Sequence, residues 1–260
     1  MEPADRVVVI TGGGGGIGAA LARRFHAEGA RHVAVADIDR TGAEAVAADV
    51  GGSAHVVDAA DGEAVAALVE SVENTAGPVD LFCANAGVAV AGGVDADTDA
   101  WQRSWDVNVM SQVYAARAVL PSMLSRGEGY LVLTASAAGL TTSLDTAPYA
   151  VTKHASVALA EWLAITYGDA GIRVSCLAPQ FVDTSMGRMA GSGNPAAEAW
   201  VRSVMIEADD VAAAVIDAVQ AERFLILPHP EVEGFFRNKA ADYDRWLGGM
   251  RKLRRGFQAP

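Results

Sequence analysis

The sequence predicts an α/β protein, a single domain built on one doubly wound parallel sheet of about seven strands with helices on both faces, followed by a C-terminal helical extension. Three observations predict it. Short β-branched apolar runs alternate with longer Ala-rich amphipathic stretches from end to end, the pattern of repeated βα units. The length, 260 residues with 51% apolar content, suits one large core better than two small ones. A run of glycines joins the first apolar run to the first amphipathic stretch, where such a sheet needs a tight turn.

Taken in order, strands are expected at residues 6–10, 32–36, 54–57, 79–84, 129–134, 172–177 and 223–227, each rich in Val, Ile, Leu or Phe. Helices are expected at residues 17–28, 40–50, 62–75, 100–126, 149–169 and 209–221. No stretch reads as an interdomain linker, and no repeat appears beyond the βα alternation. Residues 1–228 form the expected catalytic domain and residues 229–260 the extension, where Pro228-His229-Pro230 leads to a helix over 231–247 carrying Val232, Phe235, Phe236, Tyr243 and Trp246.

Composition excludes several classes. Twenty basic against 32 acidic residues give a net charge of −12, which argues against nucleic acid or an anionic membrane as partner. The one basic cluster, Arg251, Lys252, Arg254 and Arg255, reads as a solvated helix end. Cys83 and Cys176 both lie inside strand-like runs and read as small buried hydrophobes, with no disulfide and no metal site expected. The N-terminal residues run straight into Val7 without a signal pattern, and no apolar stretch reaches membrane-spanning length. A cytoplasmic protein is expected.

The glycine-rich turn is Thr11-Gly12-Gly13-Gly14-Gly15-Gly16-Ile17-Gly18. A turn without side chains lets backbone approach a pyrophosphate, whose charge then meets the amides and dipole of a helix N-terminus. Five consecutive glycines satisfy several spacings at once, so context carries the reading. The turn follows the first strand and opens a helix, and Asp37 ends the second strand, where a carboxylate receives ribose hydroxyls. Asp37, with Ile38 beside it and Asp39 next, repels a 2′-phosphate before Arg40 supplies any cation. NAD(H) is therefore expected in preference to NADP(H).

Tyr149 and Lys153 stand at i and i+4 of an expected helix and so become neighbours on one face. A free phenol titrates near pH ~10, and an adjacent ammonium favours its phenolate. Ser136, just beyond the apolar run 130–134, can hydrogen-bond the substrate oxygen that such a tyrosine protonates. Taken alone, a Tyr-x-x-x-Lys pair is as readily a tyrosine covering core beside a snorkelling lysine.

Together, Thr11–Gly18, Asn85-Ala86-Gly87, Ser136 and Tyr149-x-x-x-Lys153 occur in the order and spacing of the short-chain dehydrogenase/reductase family, which the chain resembles over roughly residues 5–228. The resemblance implies a Rossmann-like sheet and assigns further roles. Asp58 and Ala59 would contact the adenine; Asn85, Ala86 and Gly87 would line the cofactor and steady the sheet. Asn108 matches the fourth catalytic residue, which holds a water relaying protons to the lysine. Pro179, Val182 and Thr184 match the segment that grips the nicotinamide carboxamide. Here the chain departs from the family: Gln180 stands where a glycine usually follows the proline, bringing a side chain close to nicotinamide or substrate.

By position beyond the strand ends, Val88, Ser136, Leu144, Gln180, Phe181, Met186 and Met189 are the candidate substrate contacts. Met186, Met189, Trp200 and Met205, interrupted by residues 191–195, read either as a greasy lid over residues 185–205 or as core packing. These residues suit a small hydrophobic secondary alcohol or ketone. His229 reads as a turn residue and His154 as helix surface. The tail aromatics pack on their own subunit, close a neighbour's site or block a subunit contact. A homodimer or homotetramer is expected by resemblance, through the long helices 100–126 and 149–169. The alternatives are a non-catalytic NAD(H)-binding regulator, an NADP(H)-dependent ketone reductase, and a nucleotide-sugar epimerase, for which residues 185–260 are short.

Overall fold

Strands buried on both faces must be apolar along their whole length, and the first apolar run is: Val7, Val8, Val9 and Ile10 are fully buried. The computed structural model of the chain describes residues 1–191 and 193–258. Residue 192 of the expected lid and residues 259–260 of the expected extension lie outside them.

Seven strands, β1 (Val7–Thr11), β2 (His32–Asp37), β3 (Ser53–Val56), β4 (Leu81–Ala84), β5 (Gly129–Thr134), β6 (Ile172–Leu177) and β7 (Leu225–Ile226), form one sheet in the order β3-β2-β1-β4-β5-β6-β7. Every pairing is parallel; Val8 lies opposite Val33 on one side and Leu81 on the other. The helices are α1 (Gly16–Ala27), α2 (Arg40–Asp49), α3 (Gly62–Ala76), α4 (Thr98–Trp105), α5 (Ser111–Arg126), α6 (Ala138–Thr141), α7 (Ala147–Tyr167), α8 (Ser185–Arg188), α9 (Pro195–Ser203), α10 (Ala208–Gln220), α11 (Glu231–Ala241) and α12 (Tyr243–Gln258).

The period-two alternation of β1 divides the core. Val7 and Val9 join one apolar cluster with α3, α5 and α7; Val8 and Ile10 join the other with α1, α2 and α10. Both cysteines lie in the sheet as free, buried thiols. Burial pushes the Cys83 thiol far up, and it pushes Cys176 up to about 12. Strand order reverses between β1 and β4, so the loops after their carboxyl ends diverge and leave a crevice.

Besides an unexpected short α6 and a β7 of two residues where 223–227 was expected, the structure differs from the expected elements in three places. The single helix expected over 100–126 is interrupted by a π-helical turn, Asp106–Met110, a local widening typical of functional sites. The helix expected over 231–247 is two helices, because Asp242 is extended at φ −154°. Its Oδ1 accepts from Arg245 N at 2.9 Å and starts α12. The expected lid segment contains the short helices α8 and α9. No helix of the described residues is long and apolar enough to cross a membrane.

Candidate active site

The glycine turn is shaped by close approach. A Cβ on Gly18 would sit 2.0 Å from the Gly12 carbonyl oxygen, so only hydrogen fits. Gly16 opens α1 at φ +49°, in the region where L side chains are strained. A Cβ on Gly15 would meet nothing within 4 Å, leaving open backbone before the helix N-terminus. Gly14 N donates to Asp37 Oδ2 at 2.9 Å, and Asp39 N donates to Asp37 Oδ1 at 2.9 Å. The carboxylate expected to receive a ribose thus sits beside the turn expected to receive the phosphates.

Asn85 ties three strands together. Its Nδ2 donates to the carbonyls of Thr11 and Gly12 at 3.2 and 3.3 Å, and its Oδ1 accepts from Thr134 Oγ1 at 3.2 Å. Asp58 Oδ1 accepts from Ala60 N at 2.9 Å, a local turn bond.

Beyond β5, Ser136 Oγ donates to the Pro179 carbonyl at 3.3 Å and accepts from Ala138 N at 3.1 Å. This holds the hydroxyl where two loops meet. On α7, the Lys153 Nζ lies 5.7 Å from the centre of the Tyr149 ring and donates to the Thr134 carbonyl at 2.8 Å. Burial raises the Tyr149 phenol above its ordinary value, while a hydrogen bond with Ser136 works in the opposite sense. Burial also lowers the Lys153 ammonium to about 8. The lysine expected to depress the tyrosine is close, yet in the protein alone burial, opposed by Ser136, sets the direction.

Asn108 lies on the π turn and is fully buried. Its side chain pairs with the backbone of Val88, accepting from the N–H at 2.8 Å and donating to the carbonyl at 3.0 Å, and it also donates to Thr152 Oγ1 at 3.0 Å. The widened turn leaves the Asn108 carbonyl to accept from Ser156 Oγ at 3.0 Å. A Cβ on Gly87 would fall 3.3 Å from Asn108 Oδ1 and 3.4 Å from Lys153 Nζ. Asn-Ala-Gly, Asn108 and Lys153 therefore converge on one point.

All of these surround a cavity of about 1570 Å³. Of the expected cofactor contacts, Gly12, Gly15, Gly16, Ile17, Asp37, Ile38, Asp58, Ala59, Asn85, Ala86, Gly87, Tyr149, Lys153, Pro179, Val182 and Thr184 line it. Gly14, Gly18 and Asn108 stand behind that lining and act through their neighbours. Every expected substrate contact, Val88, Ser136, Leu144, Gln180, Phe181, Met186 and Met189, lines it as well. Trp200 does too, edge-on to Phe181 at 5.4 Å.

Sequence reasoning missed the roof. Trp246, Met250, Leu253 and Phe257 of α12 line the same cavity, and Phe257 meets Trp200 at 5.9 Å between ring centres. Their spacing of four, three and four residues is an amphipathic helix face legible in the sequence. Arg254 pairs with Asp145 at 2.9 Å on the rim. Two histidine readings are corrected. His154 is half-buried rather than surface, with Nδ1 on the Ala150 carbonyl at 2.8 Å and Nε2 3.3 Å from Lys239 Nζ. Lys239, itself buried, donates to the Leu140 carbonyl at 2.7 Å and so ties α11 to α6. His229, 2% exposed, is no simple turn residue: Gln180 N donates to its Nδ1 at 3.1 Å, and its Nε2 contacts the Phe181 carbonyl at 3.0 Å. Among the described residues no cluster of side chains is suited to hold a metal ion.

Residues 6–194 match the family model described as short chain dehydrogenase. The chain belongs to the short chain dehydrogenase family. With that membership come its oxidoreductase class and its Rossmann-like fold. Relatives in this family include 1-deoxy-11-beta-hydroxypentalenate dehydrogenase of Streptomyces exfoliatus, 32% identical over 93% of this chain and 90% of the relative. Meso-2,3-butanediol dehydrogenase of Serratia marcescens is 38% identical over 70% of this chain and 73% of the relative. Among solved structures, a short chain dehydrogenase/reductase from Burkholderia phymatum in complex with NAD superposes with TM-score 0.84 at 30% identity, over 94% of this chain and 96% of that one.

Proposed function

We propose that the protein is an NAD(H)-dependent short chain dehydrogenase that interconverts a hydrophobic secondary alcohol and its ketone, with Tyr149, Lys153, Ser136 and Asn108 as the catalytic set. The observation that carries the reading is the meeting of the Ser136 hydroxyl, the Tyr149 phenol and the buried Lys153 ammonium in the cavity that the glycine turn also lines. Relatives named for alcohol oxidation support it.

The residues fit the cofactor. Open backbone at Gly15 and the N-terminus of α1 suit a pyrophosphate, and the Asp37 carboxylate suits ribose hydroxyls while opposing a 2′-phosphate. Asp58 and Ala59 would flank the adenine, and Pro179, Val182 and Thr184 the nicotinamide. The nicotinamide, when bound, supplies the hydride acceptor. Ser136 orients the substrate oxygen, and Tyr149 removes its proton in the oxidative direction and returns it in reduction. Lys153 is the cation that opposes the burial of a developing phenolate, and at neutral pH it is mostly protonated. Asn108 braces Val88 and the approach to Lys153.

Val232, Phe235, Trp246, Met250, Leu253 and Phe257 of the C-terminal extension act with the catalytic domain as a wall of its substrate site. Exposed Trp105, Leu124, Val151, Trp162 and Ile165 on α4, α5 and α7 supply the apolar surface of a homo-oligomer. Two unpaired thiols suit the reducing cytoplasm.

The test is reduction of NAD⁺ and NADP⁺, followed at 340 nm, across a panel of secondary alcohols, with Tyr149→Phe as control. NAD⁺-linked turnover that falls by about 10²–10⁴ in the variant is the expected result. Turnover indifferent to the variant refutes the assigned base.

A further inference from the structure

Gln180 occupies a position unlike any other in the cavity wall. Its backbone is held by a single buried ring: His229 Nδ1 accepts from Gln180 N at 3.1 Å. With that nitrogen an acceptor, Nε2 carries the proton and donates to the Phe181 carbonyl at 3.0 Å. One imidazole in one tautomer thus fixes two consecutive residues of the segment that follows Pro179. So rigid a backbone fixes the point from which the side chain starts and leaves only its χ angles free.

Yet the Gln180 amide is unused by the protein. Its Oε1 is buried with no hydrogen-bond partner among the described residues, although Gln180 lines the cavity. Trp246, on the α12 roof of the same cavity, repeats the pattern with its Nε1–H. Native proteins pair the large majority of buried polar groups, so each exception needs an explanation. Here two of them, one acceptor and one donor, fall on residues that line one cavity. Phe181, Met186 and Met250 of the same wall are apolar, and polar lining residues such as Ser143, Thr184 and Asn194 already have partners within the protein.

We propose that Gln180, positioned by His229, forms with Trp246 a polar subsite for a second oxygen function on the substrate. The reading rests on the proposed alcohol oxidation at Ser136 and Tyr149 and narrows its substrate class. The substrate is an otherwise apolar compound with two oxygen functions, one at the reacting carbinol or ketone and one remote, a hydroxyl or a carbonyl. A remote hydroxyl satisfies both orphans, donating to Gln180 Oε1 and accepting from Trp246 Nε1–H. A remote carbonyl accepts from Trp246, and from the Gln180 amide after its two ends exchange places. Side chains of Gln180 and Trp246 shift by rotation about their χ angles to meet it, since both orphan atoms are shielded from solvent.

The experiment compares matched substrates: 2-decanol against 2,4-, 2,6- and 2,8-decanediol, with kcat/KM from NAD⁺ reduction, for the wild type, Gln180→Met and Trp246→Phe. Both substitutions keep shape and remove hydrogen bonding, and NADH binding by fluorescence checks that each variant is folded. At least one diol is expected to exceed 2-decanol by about tenfold in the wild type, as one to two net hydrogen bonds allow, and that ratio falls toward one in each variant. A wild-type ratio near one for all diols, or a ratio that both variants leave unchanged, overturns the subsite while leaving the dehydrogenase reading in place. A wild type that binds NADH and oxidises neither class overturns the dehydrogenase reading and the subsite with it.

Discussion

Replacing Lys153 by methionine separates what this side chain costs the fold from what it contributes to chemistry. Lys153 is 3% exposed, and burial lowers its ammonium from 10.5 to about 8. Each unit of pKa corresponds to ~1.4 kcal/mol, so carrying the charge at neutral pH costs the folded state roughly 3 kcal/mol. Its charged hydrogen bond to the Thr134 carbonyl at 2.8 Å offsets about 1.5 kcal/mol or more. The carbonyl does not become an orphan on substitution, because Gln112 Nε2 also donates to it at 3.1 Å. Methionine fills the space without a charge, so Lys153→Met is expected to be more stable by about 1–2 kcal/mol at pH 7. The sign with pH follows from the lowered value. Between about 8 and 10.5 the unfolded chain holds more protons than the folded one, so wild-type stability rises with pH across that window. The variant lacks this rise, and its advantage is full below pH 8 and gone by the upper end. Urea unfolding followed by tryptophan fluorescence at pH 7 and pH 10 measures both points. A variant less stable than wild type at pH 7, or a gap indifferent to pH, would refute the account of Lys153 as a strained charge retained for catalysis. NAD⁺ reduction by the variant should fall by at least about 10²-fold.

Three further outcomes are expected. Asp37→Ser removes the carboxylate proposed to oppose a 2′-phosphate, so kcat/KM for NADP⁺ relative to NAD⁺ should rise about tenfold or more; an unchanged ratio would place cofactor choice elsewhere. Gly18→Ala forces a methyl to 2.0 Å from the Gly12 carbonyl, which should cost about 3 kcal/mol or more and lower Tm by at least about 6 °C; calorimetry showing no change would mean the turn is softer than its geometry. Cys83 and Cys176, with thiols pushed up by burial, should resist N-ethylmaleimide in the native protein and react once urea unfolds it, as intact-mass measurement reports.

What the sequence made legible was whatever depends on local pattern. Residues 129–134 are a strand as expected, because a fully buried parallel strand reads as a nearly continuous apolar run; residues 172–177 are one too, although exposed Arg173 and buried Ser175 interrupt theirs. Tyr149 and Lys153 meet because helical spacing alone makes them neighbours, and the glycine turn lies beside Asp37 because both end strands that pair directly. The features that escaped depend on contacts between distant segments. The π turn at Asn108 is matched to a hydroxyl on Ser156, a partner that no window around residue 108 contains. His229 fixes Gln180 and Phe181 across the space between β7 and the loop after β6, which its neighbours Pro228 and Pro230 do not foretell. The amphipathic face of α12 was readable as a pattern, but its counterpart was not. A helix face announces that it will be covered, not by what.

Helix α12 also gives the molecule a charge axis. Arg245, Arg251, Lys252, Arg254 and Arg255 gather on it while the chain as a whole carries −12, and its apolar side closes the cavity. Five cations thus gather on a helix that lines the cavity of an otherwise anionic particle, an arrangement that would attract an anionic dinucleotide approaching by diffusion. Ionic strength then becomes a lever on the rate of cofactor capture far more than on the chemical step, because screening acts on approach across solvent and hardly at all on groups already desolvated inside.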